Sequence, residues 1–194
     1  NWGSRAAIYM LRHMIEASGS QVVATLPLQK LAFLDWDAKP TTQKLYTTLS
    51  KTFARPQKLG SLTQTLLRQI PPFLPDVIPK TWQDFHFCAD QVMKHNYLPD
   101  IKRDLEACDV VMIHGEGGIF GRQRESRMML FIAYLAKQYF YKPVALVNQT
   151  SDLSDPILHE MAKQVYPMLD DVVFREPTSA QVCKDFSEGF VKKL

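Results

Sequence analysis

Hydrophobic positions in this chain change their spacing from segment to segment, and each spacing predicts an element. Ala7, Ile8, Leu11, Met14 and Ile15 recur at helical intervals until Ser18-Gly19-Ser20 stops them, so a first helix is expected with Asn1 to Ser4 as its leading loop. Gln21 to Leu26 holds Val22, Val23 and Thr25 and reads as a strand. Prolines at 40, 56, 71, 72, 75 and 79 interrupt the next stretch and leave room only for short helices such as Thr41 to Phe53 and Ser61 to Gln69. Residues from about 35 to 80 therefore read as an irregular insertion over the sheet. Trp82 to Met93 reads as another helix.

The second half alternates more cleanly. Ile101 to Ala107 predicts a short helix, Val110 to Ile113 a strand, Arg124 to Phe140 a long helix and Val144 to Val147 a strand. Pro156 to Tyr166 predicts a further helix, Val172 to Phe174 a short strand and Pro177 to Ser187 a last helix. This order predicts an α/β, Rossmann-like fold: a doubly wound, mainly parallel sheet flanked by helices, carrying the Pro-interrupted insertion. Phe131, Tyr134, Tyr139 and Phe140 fall on the long helix and read as core rather than as a base-stacking platform.

Composition sets the size and the company. With 194 residues, 46% of them hydrophobic, the chain suits one domain of ordinary size with a substantial core. It begins at Asn1 without a methionine, and the expectation is a single domain, 1–194, forming the N-terminal half of a longer protein. A formal net charge of +3 makes no case for nucleic acid. The charge is uneven, however, because Lys39 to Lys80 holds seven basic residues against one acid, Asp76. Such a segment suits an anionic glycan, nucleotide or lipid surface, hence peripheral contact with the inner face of a membrane; its plain alternative is a solvated basic face. Cys88, Cys108 and Cys183 are odd in number and widely spaced, which predicts reduced thiols in the cytoplasm. No apolar run approaches the roughly 20 residues of a membrane-spanning helix, and no signal peptide is visible.

Candidate chemistry gathers in three loops, each placed after a predicted parallel strand: His114 to Gly121, Asn148 to Asp155, and Arg175 to Ser179. In an open α/β sheet the carboxyl ends of the strands share one crevice, which makes the polar residues there the natural site. Glu116 brings a carboxylate, His114 and Arg122 bring donors, Asn148, Gln149 and Thr150 bring amide and hydroxyl groups, and Arg175 brings a planar cation for phosphate or carboxylate. Gly115, Gly117 and Gly118 suit close backbone approach to a ligand. His13, His86, His95 and His159 are too scattered for a zinc site, there is no Walker A motif, the glycine spacing is not that of a dinucleotide fingerprint, and no serine sits in a nucleophile elbow.

Four segments in order resemble the polysaccharide pyruvyl transferase family. They are Asn1-Trp2-Gly3-Ser4-Arg5-Ala6, then Asp109 through Gly118, then Lys142-Pro143 through Thr150, then Asp171 through Ala180. The resemblance covers Asn1 to Gln21 and Leu105 to Ser187 and leaves the Pro-rich middle unmatched. It implies two Rossmann-like domains facing across a cleft, as in GT-B glycosyltransferases, with this chain as the acceptor-side domain and a C-terminal domain supplying further donor-binding groups. The activity implied is transfer of a pyruvyl group from phosphoenolpyruvate, the donor substrate, to a sugar hydroxyl of a cell-surface polysaccharide or its precursor, with no cofactor and no metal. The chain departs from the family at Ser4, where Asp is usual, and at Glu116, which interrupts a run of glycines.

That carboxylate is the expected general base for the acceptor hydroxyl, with His114 as second catalytic candidate. Asn1, Arg5, Arg122, Asn148, Gln149, Thr150, Arg175, Ser179 and the amides of Gly115 to Gly118 are the expected substrate contacts. Several have a plain alternative: Glu116 as a helix cap, Arg175 as the ion-pair partner of Glu176, His114 as a packing residue, and the 148–150 side chains as loop hydrogen-bonders. A glycosyltransferase using a nucleotide-activated sugar and a non-catalytic glycan- or partner-binding domain stand beside the pyruvyl transferase reading.

Overall fold

A helix stands first in this computed structural model, which describes residues 2–27, 78–121 and 123–184, with side chains from Ala6 onward. Helix α1 spans Trp2–Ala17, so Trp2 to Ser4 belong to the helix and not to a loop before it. No proline interrupts this run, so nothing in the first turn blocks the helix that Ala7 to Ile15 set. The helix ends where predicted: Gly19 takes φ +84°, open to glycine, and the Ser18 hydroxyl donates to the Ile15 carbonyl at 2.6 Å. Residues 21–27 carry no regular structure, which overturns the strand expected at Gln21 to Leu26. β-branched residues form a strand only when their backbone finds a ladder partner, and the described strands pair only with one another. Most of the Pro-interrupted stretch, together with Asn1 and Arg122, lies outside the described residues.

Past Ile78 the order is a 3-10 turn at Trp82–Asp84, α2 at Phe85–His95, α3 at Pro99–Ala107 and β1 at Val111–His114. Then come β2 at Ile119–Phe120, α4 at Arg124–Gln138, β3 at Val144–Gln149, β4 at Ser151–Asp152 and α5 at Pro156–Val165. A 3-10 turn at Tyr166–Met168, β5 at Asp171–Phe174 and α6 at Pro177–Val182 complete it. Helices α3, α5 and α6 begin with proline in the first turn, where its missing N–H costs nothing. Asp155 caps α5 by accepting from the Ile157 and Leu158 amides, each at 3.0 Å.

β1, β3 and β5 form a parallel sheet in that spatial order, and β2 and β4 form a separate parallel pair. The chain steps the same way twice, from β1 through α4 to β3 and from β3 through α5 to β5. Right-handed crossovers in one direction put both helices on one face, and α4 and α5 indeed pack together. The described strands thus wind one way. Val144, Leu146 and Val172 are buried on the helix-covered face, while Met112 and Val173, on the opposite face by strand alternation, stay exposed.

Helix α4 is the centre of the core. Met128, Leu130, Phe131, Leu135 and Ala136 are buried, and Phe131 meets Phe85 of α2 edge-on at 5.7 Å. Each large side chain buried this way stabilises the fold by about 1.5–3 kcal/mol. Lys137 and the Val144 amide both bind the Asp170 carboxylate, at 2.8 and 2.7 Å, and Lys137 is the main cause of its lowered pKa. That contact ties the end of α4 to the start of β3. No helix among the described residues is long and apolar enough to cross a membrane.

Candidate functional site

Because β1, β3 and β5 are parallel, their carboxyl ends share one edge, and His114, Asn148 and Arg175 arrive there from three different strands. How they meet depends on an irregularity in β3. Leu146 pairs with Val172 but Gln149 pairs with Phe174, so β3 spends one residue more than β5 over the same length. Asn148 is the surplus residue, at φ +53°, a left-handed conformation that asparagine tolerates better than most side chains. Alternation from Val144 and Leu146 would turn Asn148 inward. The bulge turns Gln149 inward instead and leaves Asn148 beside the β1 loop.

There the Asn148 amide nitrogen donates to Glu116 Oε2 at 3.2 Å and lies 3.0 Å from His114 Nε2. Arg175 reaches Glu116 Oε1 from the other side at 2.5 Å, and His114 Nε2 stands 3.8 Å from Glu116 Oε2. The four side chains form one network with the carboxylate at its centre. Glu116 and His114 are largely covered, with side chains 19% and 16% exposed, while Arg175 is 51% exposed. Burial pushes the His114 pKa down, Glu116 opposes that shift and Arg175 adds to it, so the imidazole is neutral at pH 7. A neutral ring beside a carboxylate can accept or relay a proton. It cannot serve as a standing cation.

The plain alternatives resolve in part. Glu116 lies in the turn between β1 and β2 and caps no helix. Arg175 pairs with Glu116, 59 residues away, while Glu176 accepts from the Ser179 hydroxyl at 3.1 Å.

The glycine loop is shaped by its neighbours. A Cβ on Gly115 would lie 1.8 Å from Gln149 Oε1, and one on Gly118 would lie 2.6 Å from the end of Met129, so both backbones press against side chains. Gly117 has open space but φ +60°. The Gly115 amide donates to the Val147 carbonyl at 2.9 Å and the Gly118 amide to the Gly115 carbonyl at 3.2 Å. Two of the four amides expected to cradle an anion are therefore committed within the fold.

Ser126, on the first turn of α4 and fully buried, is a positioning residue that the sequence does not flag. Its hydroxyl lies 2.8 Å from the Gly118 carbonyl and accepts from the Phe120 amide at 3.2 Å. The only sequence signal is a small hydroxyl residue early in a helix directly after a glycine loop.

Other expected contacts sit elsewhere. Gln149 is wholly buried and donates to the Thr150 carbonyl and the Ser151 hydroxyl, leaving its Oε1 without a hydrogen-bond partner. The Thr150 hydroxyl oxygen is likewise buried and unpartnered. Ser179 is buried and accepts from the Ser151 amide at 3.1 Å. Cys183 completes this interior cluster, its thiol 3.6 Å from the Ser151 hydroxyl and its pKa pushed up to about 11 by burial. Arg5 lies on α1, and Asn1 and Arg122 fall outside the described residues.

No group of three or more His, Cys, Asp or Glu side chains among the described residues is placed to hold a metal ion. No protein-family model, curated protein or solved structure matches the chain.

Proposed function

We propose that this chain is the acceptor-side domain of a transferase that moves a pyruvyl group from phosphoenolpyruvate to a sugar hydroxyl of a cell-surface polysaccharide or its precursor. The carrying observation is one carboxylate, Glu116, held between Arg175, Asn148 and His114 over the ends of three parallel strands. Transfer to a hydroxyl needs a base at the acceptor oxygen and a cation near an anionic donor, and this cluster offers both. Glu116 Oε2, on the side of His114 and Asn148, takes the hydroxyl proton, and neutral His114 relays it. Arg175, half exposed, meets the donor's phosphate or carboxylate. A second domain across the crevice supplies the remaining donor contacts.

The test is the complete protein incubated with phosphoenolpyruvate and a glycan acceptor. Acceptor-dependent phosphate release is expected, and Glu116→Gln should lower it by about a hundred- to ten-thousandfold, the usual contribution of a general base. Wild-type turnover in Glu116→Gln would remove Glu116 from the mechanism. Nucleotide release from sugar nucleotides instead would identify a glycosyltransferase, and no turnover with either donor would leave a glycan-binding domain.

A further inference from the structure

The site as it stands has already used its cation. Arg175, the group best suited to an anionic ligand, is paired with Glu116, the group best suited to act as base. We propose that Glu116 is a built-in competitor for the anion position on Arg175, so that a phosphate- or carboxylate-bearing ligand binds by displacing Glu116 and thereby frees it as a base. The functional consequence rests on the role of Glu116 as general base; the competition itself does not.

Three observations carry this. First, the two carboxylate oxygens have separate partners: Oε1 takes Arg175 and Oε2 takes Asn148, with His114 beside it. Losing Arg175 therefore leaves Glu116 hydrogen-bonded and next to an imidazole that can share a proton, so release strands no buried charge. Second, exposure is graded. An incoming anion meets the half-exposed guanidinium before it reaches the recessed carboxylate and imidazole. Third, the pair is only partly covered, and ion pairs of that kind are weak enough for a ligand to outcompete. The Gly115 and Gly118 amides are occupied within the fold, which removes two backbone donors that would otherwise share an anion with Arg175. Tying the base down until the donor arrives would keep Glu116 from activating a hydroxyl with nothing to receive it.

Inorganic phosphate is the probe, titrated into the protein while the Arg175 side-chain Nε–H resonance is followed by NMR. Glu116→Gln removes the competitor's charge and should bind phosphate roughly two- to fivefold more tightly than the wild type, the range expected for an ion pair of this exposure. Arg175→Ala should abolish saturable phosphate binding at the site. Phosphate affinity that is unchanged or weaker in Glu116→Gln overturns the proposal, as does phosphate binding that survives Arg175→Ala. A second readout needs no variant. Glu116 and Arg175 are the charged groups facing His114, and phosphate on Arg175 with Glu116 released toward the ring should raise the His114 titration midpoint. A midpoint that saturating phosphate does not move also overturns it. None of these measurements requires turnover, so the competition and the transferase reading stand or fall separately.

Discussion

Asn148 and Gln149 are neighbours in the chain, carry the same amide group, and end in opposite environments. Asn148 joins His114, Glu116 and Arg175 in a cluster that reaches solvent through the guanidinium. Gln149 is sealed among Thr150, Ser151 and the backbone of Gly115. The difference comes from one surplus residue in β3, not from side-chain chemistry. The outer cluster centres on a charged pair, Glu116 and Arg175, that can exchange partners. The inner one is built from neutral hydrogen bonds and close packing that hold the outer one in place. A residue type therefore says little about function here until its side of the bulge is known.

The largest stability effects should come from the inner cluster. Gln149→Ala opens a cavity and strips partners from Ser151 and Thr150, and should cost about 2–3 kcal/mol in a denaturant melt. Gly115→Ala forces a Cβ into the Gln149 side chain and should cost about 1–3 kcal/mol. The pair sharpens the comparison, because the double variant should fall short of the sum by about 1 kcal/mol, the first change having made room for the second. Full additivity would mean that the two residues do not press on each other.

Next comes the link between core and loop. Ser126→Ala should lower stability by about 1–2 kcal/mol, since it leaves the buried Gly118 carbonyl and the Phe120 amide without their partner. Crystallography or loop amide exchange would register the released glycine loop, and a loop unchanged in both would deny Ser126 its positioning role.

The outer cluster should respond differently. Asn148→Gly keeps the left-handed backbone easy and removes only the amide, so stability should change by less than about 0.5 kcal/mol. The His114 titration should nonetheless move, because the group bridging it to Glu116 is gone. A loss of stability matching that of Gln149→Ala would erase the distinction between the two sides of the bulge.

The smallest effect is a slope. Burial holds the folded-state pKa of His114 below its ordinary value of 6.5, so between the two values the unfolded chain binds more protons than the folded one. Stability from this residue is complete above pH 6.5 and declines as the pH falls toward the folded-state pKa. His114→Gln should flatten that part of the stability profile. An unchanged slope in urea melts across the window would show that His114 does not titrate as its burial requires.

Much of the frame is legible in the sequence because hydrophobic spacing is a local property. β1 and β5 each begin within a residue of their expected starts, and α4, α5 and α6 begin at the expected residues. The exceptions are instructive. Val22, Val23 and Thr25 have strand-forming side chains but no described ladder partner, and Trp2 to Ser4 have the look of a loop although nothing there prevents a helix. The three strand-end loops can be named from sequence, and so can Glu116 as the acid set among the glycines of the first. Its pairing with Arg175 across 59 residues cannot be read there, because it depends on which loops the sheet order brings side by side.

The chain's own pattern thus determined which residues form strands and helices and that polar groups collect where strands end, since side-chain period and turn chemistry act over a few neighbouring residues. Only the tertiary structure decided that Asn148 faces the site while Gln149 is buried, and that the base and the cation occupy each other. The first depends on the β3–β5 register and the φ of a single residue and the second on the order of the strands, and all of these are set by contacts between residues distant in the chain.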